Sequence, residues 1–321
     1  MSQVGLFGPG GGDALGAVVT DEDRRLAKAL PETLRLGTSS WSFPGWAGVL
    51  YDRPASQDRL AREGLRAYAQ NPLFRTVGVD RSHYQPLSRE QWAAYADQVP
   101  QDFRFLVKAH EHCTLHRFPS HPRYGRLREQ DNVSFMDPGY ALREVISPTF
   151  EGLGDKLGVL LFQFAQQDLR PIGGPNGFCD RLYAFLSQLP RGPTYAVEVR
   201  NPQLLVPRYA EALEASGTMP CLAGLPQLPD LDTQWRQTPA AIAPVAVMRW
   251  MLRRNHSYAT GAAAFHPFDA LLEPDETTRS VLARLLQQAP ERPSYVIMNN
   301  KAEGSSPLSV RALARALTET P

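Results

Sequence analysis

The stretch TYAVEVR, Thr194 to Arg200, decides the fold. It has the β-branched and aromatic make-up of a strand, yet carries Glu198 and Arg200 two residues apart. Side chains alternate across a strand, so both charges share one face while Tyr195, Val197 and Val199 share the other. A lone charge on a covered sheet face is expensive unless it is paired or used. The segment therefore reads as a strand that holds either an internal ion pair or a functional site.

Seven more segments of the same kind lie on either side of it. Upstream are LRLGTSSW (Leu34 to Trp41), FRTVGVD (Phe74 to Asp80), FRFLVKA (Phe103 to Ala109) and LGVLLFQF (Leu157 to Phe164). Downstream are MPCLA (Met219 to Ala223), PVAVMRW (Pro244 to Trp250) and SYVIMNN (Ser294 to Asn300). Between them run apolar stripes at helical spacing, such as Trp92, Tyr95, Ala96 and Val99, then Leu182, Phe185, Leu186 and Leu189, and finally Val310, Leu313, Ala314 and Leu317. Strands alternating with helices call for a parallel sheet, and eight is the number that closes it. The chain reads as α/β, a single-domain TIM (β/α)8 barrel. An open doubly wound sheet is the rival, but no glycine-rich dinucleotide fingerprint follows the first strand.

Residues 1–33, with the glycine-rich GPGGGDALG, read as a flexible N-terminal extension, and 34–321 as the barrel domain. The turn SFPGW after the first strand reads as a mobile loop presenting Trp41 and Trp46. A long insertion from residue 110 to beyond 128 has the length of a lid.

With 321 residues, 43% hydrophobic, the chain can bury a full core. A net charge of +1 supplies no global field for nucleic acid or an acidic membrane, although Arg117, Arg123, Arg126 and Arg128 form a local basic run that reads first as a solvated loop. Cys113, Cys179 and Cys221 are scattered and odd in number, which speaks against a disulfide framework or zinc ribbon and fits a reducing cytoplasm. No run of about 18 apolar residues is present, and the start lacks a signal-peptide pattern, so no membrane association is expected.

Several segments together resemble the domain-of-unknown-function 72 family, also called YecE-like, whose members are TIM-barrel proteins of no established activity. The carriers are GTSSWSFPGW (Gly37 to Trp46), TVGVDRSHY (Thr76 to Tyr84), FRFLVKA, KLGVLLFQF (Lys156 to Phe164), YAVEVRN (Tyr195 to Asn201) and the Asn299, Asn300 pair. Their order and spacing extend the likeness over most of residues 34–317, and the resemblance implies the same barrel. The second strand departs from the family pattern, in which Gly78 is usually Glu, Asp80 is Asn, and Ser82 and His83 are Thr and Phe; prolines are likewise usual at Ala165 and Gln166.

Functional groups of a TIM barrel gather at the carboxyl ends of its strands. Here those ends carry Ser40, Asp80, Lys108, Gln163, Glu198, Arg200, Arg249, Asn299 and Asn300. Glu198 is the first choice for a general acid or base, its pKa set between burial and the neighbouring Arg200 or Lys108, with Asp80 as a second carboxylate. Trp41, Tyr84, Gln163, Arg200, Arg249, Asn299 and Asn300 are candidate ligand contacts. The turn KAEGSSP (Lys301 to Pro307), with Gly304, Ser305 and a Ser306 cap before Pro307, offers a helix N-terminus to an anion.

The leading expectation is an enzyme acting on a small anionic, phosphate- or carboxylate-bearing substrate, with Glu198, Lys108 and Asp80 as its catalytic groups. One alternative is a protein that binds or cleaves nucleic acid, with the arginines of 117–128 on phosphates and Trp41, Trp46 and Tyr84 on bases. Another is a barrel that binds a ligand without turning it over. His110, His112 and His116 could offer imidazoles to a divalent metal, with Asp80 or Glu198 completing the set, but histidines in a polar loop are more often solvent-facing, so no metal site is assigned. No GxSxG elbow for a nucleophilic serine is present.

Overall fold

The computed structural model describes residues 14–319. Eight parallel strands, in chain order, close into one barrel. They are β1 (Leu34–Thr38), β2 (Phe74–Val79), β3 (Arg104–Lys108), β4 (Leu157–Phe164), β5 (Tyr195–Val199), β6 (Met219–Gly224), β7 (Ala246–Trp250) and β8 (Ser294–Met298). The seam is sealed by five paired positions, Leu34 to Thr38 on β1 against Ser294 to Met298 on β8. Beside it, Gly37 lets β1 approach β2, since a Cβ there would stand 2.0 Å from the Thr76 carbonyl oxygen.

Alternation along the strands sorts the side chains as expected. Val197, Val199 and Tyr195 pack outward with Phe162, Phe164 and Phe178. Leu106, Val159, Leu161, Ala196, Cys221, Val247 and Ile297 fill the barrel's interior. The next inward positions on β3, β4, β5 and β7 are Lys108, Gln163, Glu198 and Arg249, so the apolar plug ends where the polar mouth begins.

The expected flexible extension is corrected for residues 14–33; the earlier part, with most of the glycine-rich stretch, lies outside the described residues. Helix α1 (Asp21–Ala29) opens with a capping box, in which Asp23 N donates to Thr20 Oγ1 and Thr20 N donates to Asp23. Asp23 is fully buried and takes two hydrogen bonds from Arg311, at 2.7 and 3.0 Å, on the helix Ser306–Glu319 that ends the fold. Three acids in the first turn and Lys28 in the last suit the helix dipole, a local pattern that was present in the sequence.

The loop after β1 is also corrected. Trp41 is buried edge-on against Tyr95, and its carbonyl accepts from Tyr51 Oη. Trp46 has no exposure, and its indole N–H donates to Asn300 Oδ1 at 3.2 Å. Both rings belong to the core. Among the described residues, no helix is long and apolar enough to cross a membrane.

Candidate functional site

The mouth of the barrel is built from two kinds of contact. On one side, Glu198 is wholly buried, and its two oxygens hold two guanidiniums: Arg200 Nε at 2.9 Å and Arg249 Nη1 at 2.5 Å. Gln163 Oε1 accepts from the same pair, from Arg200 Nη2 at 2.8 Å and Arg249 Nη1 at 3.2 Å. Strand register sets this up, because Gln163 on β4 stands opposite Glu198 on β5. Burial pushes the Glu198 carboxyl up, but Arg249 and Arg200 outweigh it and bring it down to about 2. A carboxylate engaged by a guanidinium on each oxygen and titrating so low is poorly suited to proton transfer near neutrality. Glu198, expected as the acid/base, is here the anchor that orients Arg200 and Arg249.

The other side is unfinished. Asp80 follows β2, and its Oδ1 is buried but accepts no hydrogen bond, with Lys108 Nζ at 3.5 Å and Arg249 Nη2 at 3.8 Å. The Asp80 side chain keeps 36% exposure, so the carboxylate also meets the mouth. Burial raises its pKa, and Lys108 and Arg249 lower it by more, leaving it below the usual carboxylate value. Lys108, at the end of β3 and only 5% exposed, is pushed down to about 8 by burial; Asp80 pulls it up while Arg249 and Arg200 press it further down. The Lys108 carbonyl is held at 2.7 Å by Ser82 Oγ, which fixes the end of the strand.

The sequence marked the turn from Lys301 to Pro307 for its helix N-terminus and not for Lys301 itself. The structure buries it and sets its ammonium over the Tyr258 ring, 4.1 Å from the centroid, with Phe268 at 5.7 Å. Among the described residues, no carboxylate stands within ion-pair distance of it. Burial lowers its pKa, partly offset by the charge of Asp80, which also raises the Tyr258 hydroxyl pKa behind the effect of burial. Tyr258 begins a helix, Tyr258–Phe265, that is started by a Ser257 capping box and brings the half-exposed ring over the mouth.

Tyr84, just after β2, is 58% exposed, with the Arg123 guanidinium 5.0 Å from its ring centroid. Arg123 in turn binds the buried Glu111 at 2.5 Å and the Tyr124 hydroxyl. The insertion is thus pinned to the rim by a charged contact. His83, 3.7 Å from Glu111, is pushed down to about 3, chiefly by burial and then by Lys108, and stays neutral.

The remaining expected site residues have structural partners. Asn299 donates to Ser39 Oγ at 2.8 Å and accepts from Lys301 N at 3.0 Å, which holds the turn that aims Lys301. Asn300 points away from the mouth, its Oδ1 accepting from Trp46 and from Ser306 N and Oγ at 2.8 Å. Gly304 and Ser305 are buried, and a Cβ at Gly304 would meet Ala270 O at 2.4 Å and Leu272 N at 2.9 Å, so the loop after β7 covers this helix start. Ser306 lies inside the helix and bonds Asn300 rather than capping. The expected anion site at this turn is therefore filled by the protein itself.

The histidines do not converge. His110 and His112 stack at 4.3 Å, His110 Nδ1 meets Tyr140 Oη at 2.6 Å, and His116 Nε2 meets the Asp168 carbonyl at 2.6 Å. Among the described residues, no group of three or more His, Cys, Asp or Glu is arranged to hold a metal ion.

The family described as protein of unknown function DUF72 matches residues 35–321. None of the curated proteins matches the chain. Among solved structures, a DUF72 family protein of Thermotoga maritima is similar at 20% identity and a TM-score of 0.57, covering 89% of this chain and 99% of its own. Another, from Enterococcus faecalis, is similar at 15% identity and a TM-score of 0.56, covering 90% of this chain and 96% of its own. Likeness at these identities concerns the fold alone.

Proposed function

This chain belongs to the DUF72 family, and because the description of that family assigns no activity, we propose from the mouth itself that the protein is an enzyme for a small anionic compound, phosphate- or carboxylate-bearing. The observation that carries this reading is an imbalance of charge: among the described residues, Lys108, Arg200 and Arg249 make their ion pairs with Asp80 and Glu198 alone, and Lys301 makes none. An anion entering here would meet two cations that Glu198 has already oriented and a Lys301 ammonium held only by a ring, with little rearrangement. Lys108 and Asp80, the pair with unsatisfied contacts, take the acid–base role first expected of Glu198.

A barrel that binds the anion without turning it over would share every one of these contacts except the need for Asp80. Nothing favours nucleic acid over a small ligand, since Trp41 and Trp46 are buried and Arg117 is paired with Asp131. The three free, buried cysteines support a reducing compartment such as the cytoplasm.

The test is a thermal-shift panel of sugar phosphates, carboxylic acids and short oligonucleotides on wild type, Arg200→Ala and Lys301→Ala. A ligand at a hundred times its Kd adds about 2.7 kcal/mol of stability. Stabilisation by one anionic class that is lost in both variants supports the proposal. No shift with any anion, or a shift untouched by either substitution, removes it.

A further inference from the structure

Two lysines share the mouth, and they are held in different ways. Lys301 rests on the Tyr258 ring, a contact that only the charged ammonium makes, so it suits a fixed positive anchor. Lys108 has a carboxylate at 3.5 Å whose nearer oxygen accepts no hydrogen bond, and two guanidiniums belonging to the Glu198 network lie close by. Being 5% exposed at the end of a barrel strand, it faces the mouth from the top of the apolar plug.

We propose that Lys108 forms an imine with the carbonyl group of an anionic substrate, with Asp80 relaying the protons and Lys301 and Arg200 holding the anionic end. This deepens the anion-site reading above and rests on it. The substrate class is a carbonyl compound with a phosphate or carboxylate nearby, such as a phosphorylated ketose or a 2-oxo acid. The lowered Lys108 pKa supports the role, because at pH 7 roughly a tenth of the side chains would already be the free amine, against a negligible fraction for an ordinary lysine.

The step balances without a further reagent. Asp80 accepts a proton from the ammonium, and the amine nitrogen adds to the carbonyl carbon as the C=O π bond opens, its second proton passing to the oxygen to give a carbinolamine. Asp80 then returns that proton to the hydroxyl, which leaves as water. In net terms an ammonium and a carbonyl become a protonated imine and one water, the two protons lost by nitrogen departing with the oxygen. Hydrolysis reverses the sequence and frees the lysine.

The experiment incubates the full chain near pH 8 with cyanoborohydride and, separately, dihydroxyacetone phosphate, pyruvate and neutral dihydroxyacetone. Intact mass and peptide mapping then locate any reduced adduct. The expected result is a single adduct on Lys108 with at least one of the anionic compounds and little with the neutral one. Labelling should vanish in Lys108→Arg and in Lys108→Met, two variants that bracket the chance that one misfolds, and should slow in Asp80→Asn. The two anions distinguish a phosphate-bearing from a carboxylate-bearing substrate. An adduct spread over surface amines, or equal labelling by the neutral compound, overturns the proposal. Thermal stabilisation by either anion without an adduct on Lys108 also overturns it while sparing the anion-site reading; absence of both removes both.

Discussion

The two walls of the mouth contain similar residues and behave differently. On the β4–β5–β7 wall, the side-chain acceptors of Glu198 and Gln163 are all engaged by Arg200 and Arg249, although Arg249 Nε is buried without a hydrogen-bond partner. On the β2–β3–β8 wall, Lys108 and Lys301 are buried and Asp80 partly so, and they are linked by long contacts and ring faces. Desolvated charges that are fully matched make rigid scaffold. Those left partly matched keep interaction energy in reserve for a ligand, and so the division separates what shapes the mouth from what acts in it.

Acid should affect both walls, in different pH windows. His83 and His110 stay neutral in the fold, at about 3 and about 4 against an ordinary 6.5, so the unfolded chain binds more protons as pH falls below 6.5. Together they should remove about 2–3 kcal/mol of stability per pH unit between 6.5 and 4. Glu198, lowered to about 2 from 4.5, gives stability that is full above 4.5 and is lost as pH falls toward 2. Urea melts across pH should therefore show stability falling from 6.5, with His83→Asn flattening the upper part alone; a flat curve down to pH 4.5 would contradict the neutral histidines.

Glu198→Gln strikes the matched wall. Removing one partner of a buried pair should cost about 3–5 kcal/mol, visible as a lower urea midpoint. A loss below about 1 kcal/mol would mean that this wall is not scaffold.

Lys301→Ala strikes the open wall. Affinity for the stabilising anion should fall about tenfold by calorimetry, or about 1.4 kcal/mol, with a much smaller change in melting. The smallest expected effect is that of Asp80→Asn on stability: its contacts with Lys108 and Arg249 are longer than those of Glu198, so the loss should be about 1 kcal/mol while imine formation on Lys108 slows. If Asp80→Asn instead unfolds the protein, the two walls are alike and the distinction fails.

Strand placement was legible because the cues are local. The expected fourth strand, Leu157 to Phe164, is β4 residue for residue, and the alternation of TYAVEVR put Glu198 inward. What the side chains do was less legible, because contacts across the barrel decide it. Nothing near Glu198 announces that Arg249, 51 residues on, will close its second oxygen. Trp41 and Trp46 sit in turn chemistry that suggests exposure, but Tyr95 and Asn300 from distant elements bury them. Lys301 lies in a turn read for its helix N-terminus, and the Tyr258 ring that holds its ammonium comes from a distant element. The capping pattern at Thr20 could have been read, and was obscured by the glycines before it.

The clasp between α1 and the last helix bears on the order of events as the chain is made. Asp23 is made before Arg311, the cation that neutralises it, which comes 288 residues later in the chain. Until then a carboxylate destined for full burial has only Asn71 and its own helix turn for company. The fold's first helix thus cannot take its final seat by itself. It takes that seat together with the helix that carries Arg311, which packs on both β1 and β8.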